Sequence, residues 1–259
     1  MKNRFPKRAT ALALSSLISL PSFGAEVDVG VGLSLGSTTM EFEEKLDANV
    51  GFPSYAVFGS ASVGNAFATV TWSDSVGSEN ISEEDELGDA NRSDLDVTLG
   101  YRLNENWAVF AGYKDGETDI RFRVRDSDIV QDEFYREDGF YLGGSYSWRF
   151  QRAGTLSFSA AYIRFDSDLR FTEGFEEEEE EEEEEENEPL EFDDLEGTFS
   201  GDADGYSIGV TWVMPLSERL AFRTLFKINS YELEVESDGL RFQPDQEFRY
   251  FQIGLLYAF

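Results

Sequence analysis

Read at every second position, the chain alternates between apolar residues and small or polar ones over short stretches, and it does so repeatedly. Val27, Val29, Val31, Leu33 and Leu35 alternate with Asp28, Gly30, Gly32, Ser34 and Gly36. A period of two over this length is the pattern of a strand with one oily face. The clearest hairpin runs Leu95, Val97, Leu99, Tyr101, Leu103, turns at Asn104-Glu105-Asn106, and returns as Trp107, Val109, Ala111, Tyr113. Phe140, Leu142, Gly144, Tyr146, Trp148 and Phe150 lead through 151–154 into Leu156, Phe158, Ala160 and Tyr162. Tyr206, Ile208, Val210, Trp212 and Met214 lead through 215–218 into Leu220, Phe222, Thr224, Phe226 and Ile228. The final residues place Phe251, Ile253, Leu255, Tyr257 and Phe259 on one row, with Tyr250, Gln252, Gly254, Leu256 and Ala258 on the other. Two weaker strands, 55–62 and 67–72, are joined across Val63-Gly64-Asn65.

The final segment alone also fits an edge strand of a soluble sandwich. The rhythm of short turn, long polar stretch and short turn, with crossings near the 9–11 residues that span a bilayer, instead predicts an all-β fold: an antiparallel, up-and-down transmembrane β-barrel. Ten strands are counted, or eight if the 55–72 hairpin stays out of the membrane. An even number returns the chain to the side from which it entered, and the last strand must pair with the first, since an open edge in hydrocarbon leaves costly unpaired amides.

The ends support export. Lys2, Arg4, Lys7 and Arg8 precede an apolar stretch over 9–20, followed by Pro21 and small residues, which is the pattern of a secretory signal peptide over 1–24. Cleavage after Gly24 leaves a barrel domain over 25–259 and moves the formal charge from −32 to −36 as four bases depart. So acidic a chain is no partner for nucleic acid. With no cysteine, neither a disulfide framework nor a thiolate metal site is available.

The closing Y-F-Q-I-G-L-L-Y-A-F resembles the terminal aromatic signal of Gram-negative outer-membrane β-barrel proteins. The run G-Y-R-L-N-E-N-W-A-V-F-A-G-Y-K from Gly100 to Lys114 is similar to hairpins of the small opacity-type and OmpW-like barrels of eight to ten strands. The resemblance implies outer-membrane localisation, contact with lipid and lipopolysaccharide, and reading of Phe251, Ile253, Leu255, Tyr257 and Phe259 as an assembly signal by the barrel assembly machinery. It specifies a class and not an activity. The chain has no histidine, the residue on which the omptin proteases and the barrel palmitoyl transferases, deacylases and phospholipases depend. A non-enzyme without catalytic residues or cofactor is therefore expected.

Charge on the inward rows is the remaining chemical signal. Asp28, Asp94, Asp96, Arg102, Lys114, Arg149, Arg223 and Lys227 all fall there. In an open pore they line a selectivity path; in a barrel of this size they pair across a filled or very narrow lumen, the arrangement expected here. Ile120 to Arg125 and Tyr231 to Glu236 alternate cleanly but out of phase with the crossings before them. A bulge or register break at Asp115-Gly116 and near Asn229-Ser230 is expected, with the strands extending beyond the membrane. Arg121, Arg123 and Arg125 then form an outer rim that either supports the protruding sheet or grips lipopolysaccharide phosphates. An outer loop over 173–200 carries eleven consecutive glutamates, 176–186, and is expected to be solvated. It holds no specific metal site, although Glu176, Glu180 and Glu186 belong to a field that attracts cations diffusely. The expected role of this monomer is structural or surface-interactive, in adhesion or envelope integrity. The alternatives are a narrow porin-like channel and a carrier of small apolar molecules using inward Phe67, Phe110, Ile163 and Leu225.

Overall fold

The computed structural model describes residues 27–43, 49–77, 79–82, 86–124, 130–151, 153–172, 197–237, 240–242 and 245–259. The signal-peptide segment, the glutamate run and Arg125 lie outside the described residues.

The alternating segments become long strands: β1 (Val27–Glu43), β2 (Asn49–Val63), β3 (Ala66–Ser75), β4 (Glu79–Ser82), β5 (Glu86–Arg102), β6 (Trp107–Val124), β7 (Val130–Phe150), β8 (Gly154–Thr172), β9 (Gly197–Pro215), β10 (Leu220–Ser237), β11 (Leu240–Phe242) and β12 (Asp245–Ala258). Ten of them close into an antiparallel barrel in the order β1-β2-β3-β5-β6-β7-β8-β9-β10-β12, and β12 pairs back onto β1 from Gly30↔Ala258 to Glu43↔Asp245. Short β4 and β11 pair only at the rim, with β5 and β10. The count is thus ten and not eight, and the 55–72 hairpin is part of the wall. The polar stretch 73–91 that follows the 67–72 strand in sequence is largely strand, and β9 begins at Gly197, inside the span expected for the acidic loop.

Partners followed once round the wall run Gly30, Ser60, Thr69, Thr98, Gly112, Tyr141, Ile163, Gly205, Tyr231, Gln246 and back to β1 at Phe42. The return point lies 12 residues beyond the start. Ten strands with that stagger tilt by about 40° and set a backbone radius of about 10 Å. The short turns share one end with both described chain ends. Gly64 takes φ +58° in the tight turn between Val63 and Ala66, and Asn104 Oδ1 accepts the N–H groups of Asn106 and Trp107, each at 2.9 Å.

The strands change sidedness half-way along. On β8, Phe158, Ala160 and Tyr162 face outward over small inward residues; beyond them Arg164, Asp166, Asp168 and Arg170 face outward while Ile163, Phe165, Leu169 and Phe171 are buried inside. The same inversion occurs round the barrel. The lower half therefore carries an outward apolar band edged by rings. Tyr55–Trp72 and Tyr113–Phe140 lie at its upper edge, and Trp107, Tyr146, Trp148 and Phe158 at its lower edge. Eight residues separate Phe140 from Trp148, so the band is about 20 Å tall, near the height of a bilayer core crossed by strands. The upper half is built as a protein in water is, with a core of Met40, Phe52, Ile120, Tyr135, Phe165, Leu169, Tyr231, Leu233 and Phe248.

This inversion needs no break in pairing. The β5–β6 register runs uninterrupted from Arg102↔Ala108 to Glu86↔Val124, and the β9–β10 register from Ala221↔Pro215 to Val235↔Gly201. The bulges expected at Asp115-Gly116 and Asn229-Ser230 are absent. The apolar row moves to the other face because the solvent outside changes from lipid to water, which reverses which face must be oily.

Candidate functional site: a charged belt across the lumen

Just above the upper aromatic ring the inward rows bring charged side chains to one level. β5 supplies Arg92 and Asp94, β6 supplies Lys114, β7 supplies Glu137, and β12 faces them with Phe248 and Tyr250. Arg92 grips Asp94 with both arms, Nε to Oδ2 at 3.1 Å and Nη2 to Oδ1 at 2.7 Å. Its Nη1 donates to Thr118 Oγ1 at 2.6 Å, its Nη2 reaches Glu137 Oε2 at 3.4 Å, and its guanidinium lies 4.0 Å from the centroid of the Phe248 ring. Lys114 Nζ sits 2.9 Å from Asp94 Oδ1 and donates to Tyr250 OH at 2.5 Å. The side chains of Arg92, Asp94, Lys114 and Glu137 are 1%, 8%, 3% and 1% exposed, so two cations balance two anions in a layer almost without water.

Gly116 makes room for this layer. A Cβ there would stand 2.6 Å from Arg92 Nη2 and 2.8 Å from Asp94 Oδ1. The residue expected to mark a bulge is instead a gap in the inner row that the guanidinium and carboxylate fill.

The two carboxylates are held differently. Burial alone would raise the pKa of Asp94, but Arg92 and Lys114 beside it override burial and hold it well below the usual carboxylate range. For Glu137 burial prevails over the more distant Arg92, and its pKa is raised. Among the described residues Glu137 Oε1 has no hydrogen-bond partner, and the same is true of the buried Tyr231 OH, Asn229 Oδ1 and Gln246 Nε2. Burial opposes the charge on Arg92 too, yet Asp94 more than compensates and its pKa is raised.

Just below the belt, Asp96 accepts from Tyr141 OH at 2.5 Å and from Lys227 Nζ at 3.3 Å. Tyr141 crosses over Gly112, whose absent Cβ would meet the ring at 2.2 Å. Lower still, Arg223 lies 4.4 Å from the Phe58 ring centroid, and Arg102 lies 5.5 Å from that of Phe67 while donating to Gly64 O at 3.4 Å. Asp28 accepts from Ser62 at 3.3 Å, and Arg149 is exposed at the short-turn mouth.

All eight inward charges singled out in the sequence thus sit on the inward rows, but only Asp94 and Lys114 belong to the belt. Arg92 and Glu137 were missed. The signal for Arg92 was its phase, because Gly88, Ala90, Arg92, Asp94 and Asp96 form one inward row. Glu137 shares the odd, inward row of β7 with Tyr141, Ser145 and Arg149, so its signal too was phase, carried back from the outward row that starts at Phe140. The row Phe251 to Tyr257 faces outward on β12. Of the outer-rim arginines, Arg121 pairs with Asp132 at 2.6 Å, and Arg123 is placed only through its backbone partner Val130.

No protein-family model matches the chain, and no curated protein matches it in sequence. Its structure is similar to the outer-membrane protease OmpT of Escherichia coli at a TM-score of 0.58 and 11% identity, covering 92% of this chain and 99% of that one. It is also similar to the translocator domain of the autotransporter NalP from Neisseria meningitidis, at a TM-score of 0.50 and 10% identity over 93% of this chain and 91% of that one. The likeness is one of fold. At such identity it carries the closed, antiparallel transmembrane barrel and none of its neighbours' activities.

Proposed function

We propose that the chain is a non-enzymatic barrel of the Gram-negative outer membrane whose lumen is closed and whose outer half stands above the membrane as a structural or surface-interacting post. The observation that carries this reading is the belt. Lys114 bonds to Tyr250 on a strand far round the wall, Arg92 lies over Phe248, and Lys227 reaches Asp96. An ion passing through would have to break several buried charge contacts and then cross the apolar core above them. On this reading the outer half owes its rigidity to that core, and lipopolysaccharide surrounds its charged wall. The barrel assembly machinery inserts it as a monomer by its final strand.

The carrier reading gains no single site. Phe67 lies across Gly100, Phe110 packs edge-on to Tyr141 at 6.2 Å, and Ile163 belongs to the outer core. The test is planar-bilayer conductance of the refolded protein. The expected record is flat; stable, reproducible single-channel steps from the wild-type protein would replace the closed barrel with a narrow channel.

A further inference from the structure

Below the belt the lumen has a different character. Its inward rows mix rings, Phe58, Phe67 and Phe110, with small and hydroxyl residues such as Ser60, Thr69, Ser145, Ser157 and Thr211, and these five are only half-buried, so some space remains between the walls. Into that space project Arg102, Arg149, Arg223 and Lys227, and among the described residues the acids on the same rows are Asp28 and Asp96. Among the described residues none of Arg102, Arg149 and Arg223 is within ion-pair distance of a carboxylate, whereas Lys227 is paired with Asp96, whose charge also acts on Arg223 from farther off. Glu105 and Glu218 lie in the exposed turns beyond the mouth. A chain of formal charge −32 therefore keeps an excess of two positive charges inside its membrane-embedded half.

The arginines are also presented in a usable form. Arg223 rests on the face of Phe58, which supports the cation while leaving its in-plane N–H donors free. Arg102 is supported by Phe67 in the same way and spends a donor on Gly64 O. A planar fork with free donors matches an oxyanion, and low-dielectric walls on every side focus the attraction. A lumen cation without a direct ion-pair partner is costly unless an anion or water completes it.

We propose that the membrane-embedded half of the lumen is an anion-binding vestibule, entered from the short-turn end, that takes small multivalent oxyanions on Arg102, Arg149 and Arg223. That the vestibule is blind rests on the closed-lumen reading, but its occupancy does not: titration reads binding, whereas conductance reads passage. The full chain, refolded in a non-ionic detergent at low salt, is titrated with inorganic pyrophosphate by calorimetry. Saturable binding is expected, weakened about tenfold by Arg149→Gln and about a hundredfold by Arg149→Gln with Arg223→Gln, since each charged hydrogen-bonding group contributes on that scale. Arg136→Gln on the outer wall, where the side chain pairs with Asp115, should leave it unchanged. Arg149 is exposed at the mouth, so its single variant tests the site even if the double variant fails to fold. Absence of saturable binding by the wild type, or equal affinity in wild type and Arg149→Gln, overturns the proposal.

Discussion

Asp94→Asn tests the belt most directly, because one carboxylate there answers two cations. Asp94 Oδ1 is 2.7 Å from Arg92 and 2.9 Å from Lys114, and all three side chains are at most 8% exposed. The amide keeps the volume but removes the charge, leaving Arg92 and Lys114 to share Glu137. Taking one partner from a buried ion pair costs about 3–5 kcal/mol. Urea unfolding of the barrel in lipid vesicles, read by the four tryptophans, should register that loss at pH 7. Asp94→Asn with Lys114→Met restores neutrality and should recover at least about half of it. Glu137→Gln should behave otherwise, costing no more than about 1 kcal/mol, because burial already disfavours the charged form of Glu137 more than Arg92 at 3.4 Å favours it. The pH dependence carries the same contrast. The folded pKa of Asp94 is depressed, so its contribution is present above the unfolded value of about 3.9 and is lost as pH falls below it. The folded pKa of Glu137 is raised, so its contribution is present at acid pH and is lost as pH rises through the folded value. An Asp94→Asn protein within about 1 kcal/mol of wild type, or a Glu137→Gln protein as unstable as Asp94→Asn, would refute the assignment of the belt's stability to Asp94.

Gly116→Ala should cost about 1–3 kcal/mol by forcing the Arg92 guanidinium aside, whereas Gly59→Ala, on the outward face with nothing within 4 Å of the new Cβ, should stay within about 0.5 kcal/mol. Equal unfolding midpoints for the two variants would show that the gap at Gly116 is not needed. Phe259 donates its backbone N–H to Val29 O at 3.0 Å and packs its ring edge-on to Tyr257 at 5.2 Å. Deleting it should slow the appearance of heat-modifiable, inserted barrel without altering conductance; insertion at the wild-type rate would remove the special status of that end.

Much of this architecture is legible in the sequence, and where it is not the reason is physical. The 95–113 hairpin was plain because Leu95 to Leu103 and Trp107 to Tyr113 face lipid, which demands unbroken apolar rows. The β2–β3 hairpin was faint because its outward face uses Gly59, Ala61, Ala66 and Ala68, which carry little hydrophobic signal. Ile120, Tyr231 and Leu233 are out of phase with the rows before them in the sequence, but the phase change belongs to the surroundings and not to the backbone, whose pairing is unbroken. The inward charges were legible by parity alone. Their division into a buried belt and an unpaired arginine mouth was not, because it depends on the 12-residue stagger, which no single strand encodes.

The inversion of sidedness also fixes how deep the molecule floats. Asp115, Asp138, Arg164, Asp204 and Arg249 form an outward row immediately above the last apolar residues on their strands. Sinking by one pair of residues would drag that row into hydrocarbon, and rising by the same step would lift the upper ring of Tyr55, Tyr113 and Tyr162 into water. Neither face offers slack, and a closed barrel shortens its apolar span by tilting far less readily than a single helix. A bilayer thicker or thinner than the band must therefore bend to meet the protein. In such a bilayer each copy would sit at the centre of a collar of deformed lipid, and two copies sharing a collar would deform less of it, so a change of membrane thickness would favour bringing these otherwise separate barrels together.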